Sequence, residues 1–199
     1  MKRRIITSIA ILIVFINCKD AKRDYIEKVF PILSNLEQIG LEMEKTVEAV
    51  QSGGISILEF EAKISDIDKR LSSEKDNFNK YMAPMGLEQF HKNILEAISA
   101  EQLAISSVRS YATRKNMYLL ADKKLEELGR EEAELLSRQS DDKARTRLSK
   151  ISTERANLAK QKESLRSEMD AQMKFYSNSH EYFVKMLKSM KEGAQRRIK

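Results

Sequence analysis

The chain has 199 residues, a formal net charge of +6, six glycines and two prolines, and its bulk is Glu, Lys, Leu, Ala, Arg, Met and Gln. That composition favours helix, and no stretch alternates apolar and polar residues with β-branching, which excludes a sheet protein. There is no Cys-x-x-Cys-His, Gly-rich phosphate loop, zinc pattern or Gly-x-Ser-x-Gly, so no enzyme, cofactor or metal centre is expected.

In chain order, Lys2, Arg3 and Arg4 form a positive patch, and Ile5 to Ile16 is apolar except for Thr7 and Ser8. This run is shorter than the ~20 residues that cross a bilayer and suits the core of an export signal. Phe15-Ile16-Asn17-Cys18 follows, and the chain then turns charged at once. The segment resembles the bacterial lipoprotein signal, in which an apolar residue, two further residues and a cysteine mark cleavage and lipidation. Phe15 stands where Leu is usual and Asn17 where Gly, Ala or Ser is usual, similar to the relaxed form tolerated in spirochaetes. The resemblance covers residues 1–18 alone. It implies a signal peptide over 1–17 and a diacylglycerol thioether on Cys18, which leaves no thiol for a disulfide. An uncleaved anchor, or a secretion signal with an incidental cysteine, is the alternative.

The mature chain, 18–199, would then hold 182 residues, enough for one domain. Three cations leave with the signal, so the net charge falls from +6 to +3 and a whole-chain case for nucleic-acid binding weakens.

Tyr25, Val29, Ile32, Leu36, Ile39, Met43, Val47 and Val50 recur at helical steps and predict a first helix over 21–51. Pro31 either kinks that helix or sits in the first turn of a shorter one. Ser56 and Glu59 have capping-box spacing for a second helix over 56–82, with Ile57, Phe60, Ile64, Ile67, Leu71, Phe78 and Met82 as its stripe. After Gly86 there is no proline. Two further apolar patterns follow, Leu87 to Leu135 (Leu119 and Leu128 among them) and Leu148 to Met190, separated by the polar run Ser137 to Asp142. The turn is placed there, with Gly129 as the rival break and one unbroken helix as a third option.

A turn near residue 140 gives two helices of about fifty residues, roughly 75 Å each. The expected fold is all-α: an up-down-up-down four-helix bundle over 21–115 and 165–192, with 116–164 projecting as an antiparallel coiled-coil hairpin. Between residues 119 and 168 there is no Phe or Tyr and one Ile, as suits a narrow two-helix seam. Both ends of the mature chain would lie at the membrane-proximal end of the bundle. Lys185, Lys188, Lys191, Arg196, Arg197 and Lys199 would then meet lipid headgroups, or else form an ordinary cation-rich helix end.

Glu88-x-x-His91 is half of a di-iron bundle motif without its second half, since His180 has Ser177 at the required spacing. The turn position instead sets His180 opposite Glu101, a pairing that would raise the imidazole pKa. In the hairpin, 120–136 holds six acids and three bases, and 143–166 eight bases and two acids. These charges should meet across the seam, Glu131 with Lys150 and Glu134 with Arg147. Nucleic acid is not an expected partner, because the basic strand has no aromatic residues for base stacking.

The function expected is that of a non-enzymatic, lipid-anchored envelope protein offering its arm to another protein, with Arg130, Glu131, Glu134, Lys143, Arg145, Arg147 and Lys150 near the tip as contact residues. The rival readings are a periplasmic ligand- or metal-binding bundle and an envelope assembly adaptor. Self-association through the arm stays open. Lys19 and Asp20 after the cysteine lack the familiar inner-membrane retention signal, which points to the outer membrane.

Overall fold

Residues 2–137 and 141–198 are described in a computed structural model of the chain, with side chains over 20–137 and 141–197. Four helices account for nearly all of it: α1 (Lys2–Ser52), α2 (Ile57–Phe78), α3 (Glu88–Leu136) and α4 (Asp142–Ile198). No strand occurs among the described residues.

The helix ends follow local chemistry. α1 runs through Pro31, whose ring faces solvent, and stops where Gly53 adopts a left-handed φ of 76°. Ser56 caps α2 by accepting the Glu59 backbone N–H at 3.1 Å, one half of the expected capping box. α2 ends at Phe78, four residues before the sequence pattern places it, with Asn79 as C-cap. Met82 is therefore not on its apolar stripe but in the following loop, 92% exposed. α3 continues unbroken through Gly129, which removes that residue as a break. The interruption falls between Leu136 and Asp142, and Arg138, Gln139 and Ser140 within it lie outside the described residues. Asp141 opens α4, its carboxylate accepting the Lys143 N–H at 3.0 Å.

The chain divides into two compact units, residues 1–105 with 177–199, and residues 106–176. Composition places the boundaries at 115/116 and 164/165; Tyr111 and Tyr176, counted there towards the bundle, belong to the second unit.

The first unit is an up-down-up-down four-helix bundle. Asn35 meets Glu74 at 2.9 Å and Glu42 pairs with Arg70, which sets α1 and α2 antiparallel. Its core includes Leu36, Met43, Phe60, Ile64, Leu71, Ile94, Ile98 and Phe183, each with no more than a trace of exposed surface. Burying each such side chain contributes about 1.5–3 kcal/mol. Gly40 lets α1 and α4 approach closely: a Cβ there would meet Phe183 Cε1 at 2.8 Å.

The second unit is an antiparallel hairpin formed by α3 and α4. Its seam is narrow: Val108, Tyr111, Ala112, Ala121 and Leu128 on α3, and Ala144, Ile151, Leu165 and Tyr176 on α4. Two helices can hide only one stripe each, and the small alanines let them close on it. Leu119, which shares the apolar spacing, is 49% exposed instead.

Candidate functional site

At one end of the bundle the α1 segment around Tyr25, the α2–α3 loop and the end of α4 come together. The Tyr25 hydroxyl lies 2.7 Å from His91 Nδ1, and Phe78 stacks on the same imidazole with ring centroids 4.3 Å apart. Burial holds His91 below the ordinary histidine pKa and pushes Tyr25 up to about 12, so it favours the neutral form of both partners. Glu88 caps its own loop, accepting the Gly86 N–H at 2.8 Å. The Glu-x-x-His spacing is thus spent on structure. Arg197 sits 6.0 Å from the Phe90 ring centroid, which brings the end of α4 here as well.

Only part of the cationic set expected at a membrane reaches this end. Lys185 and Lys188 precede Arg197 by twelve and nine residues, roughly 18 and 14 Å of helix rise. Lys185 pairs with Glu181 at 2.6 Å, and Lys188 is exposed. Lys191 is engaged by Glu37 and lies over the Phe30 ring. Arg196 pairs loosely with Glu192 at 3.9 Å, and Lys199 lies outside the described residues. The backbone of Cys18 belongs to α1, and its side chain is likewise outside what is described.

Further along the bundle, His180 Nδ1 lies 3.0 and 3.1 Å from the two carboxylate oxygens of Glu101. The Glu101 side chain is fully buried and that of His180 is 11% exposed. Burial alone would lower the imidazole pKa, but the hydrogen bond and charge of Glu101, with a weaker pull from Glu44, carry it above the ordinary value. Burial raises Glu101 against the opposing pull of His180. Among the described residues every buried side-chain polar atom has a partner.

At the hairpin tip the expected contact residues are placed as follows. Lys143, Arg147 and Lys150 line one surface hollow with Asp142 and Thr146. Arg147 forks onto Glu131 at 2.6 and 2.7 Å and reaches Glu154 at 3.2 Å. Glu131 therefore meets Arg147, not Lys150, and Arg147 does not take Glu134. The helix ends flanking the turn centre on residue 139, between Leu136 and Asp142, which shifts the pairing beside the turn by about one helical step. Arg130, Glu134, Arg145 and Lys150 are exposed. Lower in the hairpin, Glu132 pairs with Arg155, Asp122 with Lys162, and Arg114 with Glu168 at 2.6 Å. The opposite charge balances of the two strands thus meet across the seam.

The sequence pattern missed Met82 and Met85, which stand 92% and 77% exposed in the α2–α3 loop. Met82 follows Phe78 at a helical step, so periodicity assigns it inward. The opposing signal is Asn79 with Pro84-Met85-Gly86, which ends the helix before the step is completed.

Among the described residues, no group of three or more His, Cys, Asp or Glu is placed to hold a metal, and no helix is long and apolar enough to cross a membrane. The chain matches no protein-family model, no curated protein and no solved structure.

Proposed function

We propose that the protein is held to a bacterial envelope membrane by lipid on Cys18 and acts without catalysis, its hairpin serving as the surface that binds another protein. The observation that carries this reading is the position of the one cysteine in the chain. It follows a basic patch and a twelve-residue apolar-rich run, and a charged segment begins immediately after it. Residues 1–17 would be removed, and the absence of a retention signal at Lys19 and Asp20 favours the outer membrane.

The hairpin suits a binding role on physical grounds. Its seam uses a narrow stripe, and Met117, Leu119 and Leu120 remain 43%, 49% and 61% exposed within four residues of one another. Met117 and Leu120, three residues apart and so on one face of α3, can join the apolar centre of an interface, while the hollow at Lys143, Arg147 and Lys150 supplies a polar rim. A partner with an acidic, partly apolar face would complement both.

The test is cross-linking in intact cells with a photoreactive side chain at Leu120, in the full chain and in a chain lacking residues 125–156. A discrete adduct that disappears in the deletion supports the reading. Equal adducts with and without the segment, or none in the full chain, contradict it.

A further inference from the structure

We propose that the α2–α3 loop is a membrane-contacting element, in which Met82 and Met85 enter the headgroup–acyl boundary of the bilayer that holds the Cys18 lipid. This deepens the lipid-anchor reading and rests on it.

Position comes first. Cys18 precedes Tyr25 by seven residues, about 10 Å of helix rise. Tyr25 is bonded to His91 at 2.7 Å, just beyond the loop, and the Lys22 ammonium lies where a Cβ on Gly86 would meet it at 2.9 Å. The loop is therefore fixed at the level of α1 residues 22–25. A lipid on Cys18 would hold this end of the bundle against the membrane surface.

Met82 lies past the end of α2, and local backbone geometry sets Met85 outside. The loop is pinned on both sides, by buried Phe78 and by Leu87 at 3% exposure. Leu87 N–H donates to the Pro84 carbonyl at 3.0 Å, and Gly86 has φ +85°, the geometry of a type II turn with glycine at its third position. Met85 occupies the corner of that turn and is pushed outward by the backbone itself. The loop gains nothing in the isolated bundle from Met82 and Met85 standing 92% and 77% exposed.

Chemistry decides the occupant. Methionine is unbranched and polarizable, and it adapts to irregular apolar surroundings such as an acyl boundary. Lys80 is exposed in the same loop and Arg197 lies beside Phe90 at the same end, so cations flank the methionines where anionic headgroups would be. A lone exposed apolar side chain is ordinary on a protein surface. Leu58, 83% exposed at the start of α2, is such a residue and serves as the internal comparison.

The experiment uses the full chain as made by the cell, reconstituted into vesicles of phosphatidylcholine and phosphatidylglycerol. Acylation blocks the Cys18 sulfur, so Met82→Cys, Met85→Cys and Leu58→Cys each provide one free thiol for a nitroxide. Collisions with lipid-soluble oxygen and with an aqueous nickel chelate then report depth, and the mass of each protein reports its acyl groups. Expected are probes at 82 and 85 about 5–10 Å inside the boundary, with the probe at 58 in water. Acylated protein whose loop probes are as aqueous as position 58 overturns this proposal alone. So do loop probes shielded from both reagents, which indicate a protein cover. A mass without acyl groups overturns the anchoring reading, and this proposal with it.

Discussion

His180 on α4 directs its Nδ1 between both carboxylate oxygens of Glu101 on α3, at 3.0 and 3.1 Å, in a largely apolar core. Removing one member of such a pair strands the other. Glu101→Ala should cost about 3 kcal/mol or more, whereas Glu101→Gln, which keeps a hydrogen bond, should cost less. Urea unfolding of the two variants against the parent chain checks the order.

The same pair gives stability a definite pH slope. Both folded pKa values are raised, so the folded state binds more protons than the unfolded chain. The contribution is fully present below the ordinary values of 4.5 and 6.5, and is lost as pH rises through the raised folded values. Stability of the parent chain relative to Glu101→Gln should therefore fall as pH rises above the ordinary histidine value of 6.5, over the range in which His180 gives up its proton. A difference that stays level or grows across that range contradicts the assignment.

His91 has the opposite sign. Burial depresses its pKa, so its contribution is present above the ordinary 6.5 and is lost as pH falls through it. Tyr25→Phe removes the 2.7 Å hydrogen bond and should cost about 1 kcal/mol at neutral pH. NMR titration of the two imidazoles should give values on opposite sides of 6.5, His180 above and His91 below.

Glycine-to-alanine changes should act in opposite directions at two helical positions. At Gly40 the new methyl runs into buried Phe183, and overpacking of about 1–3 kcal/mol outweighs the gain in helix propensity. At Gly129 nothing lies within 4 Å, and the same change should stabilise by about 0.5–1 kcal/mol. Thermal unfolding of both variants provides the check, and Gly40→Ala combined with Phe183→Leu should recover part of the first loss.

In the hairpin, Arg147→Glu sets a second negative charge against Glu131 and Glu154. Because these groups face solvent, the loss should be clear at low ionic strength and shrink in salt. Melting curves at two salt concentrations distinguish this from a core defect, which salt would leave unchanged.

The all-helical class, the four helices and the break after Leu136 follow from apolar spacing and capping chemistry, which act over a few residues. The facing of His180 and Glu101 was legible too, because a turn near residue 140 sets those two positions opposite each other along the paired helices. Finer placement depends on packing that no local pattern carries. Met82 and Leu119 share the spacing of buried neighbours, yet Met82 lies past the end of its helix and Leu119 has only one partner helix to cover it. Arg147 meets Glu131 because the flanking helix ends, Leu136 and Asp142, centre on residue 139 rather than on 140–141. The half-motif Glu88-x-x-His91 was set aside in the sequence for want of a second half, but its partners, the Gly86 amide and Tyr25, were not legible there.

Everything proposed about location rests on chemistry at one sulfur, and an intact mass and N-terminal fragment spectrum of the protein extracted from its own cells tests it most directly. The prediction is a chain beginning at Cys18 and carrying a thioether-linked diacylglycerol. A chain that retains residues 1–17, or one beginning elsewhere with a free Cys18 thiol, would contradict it.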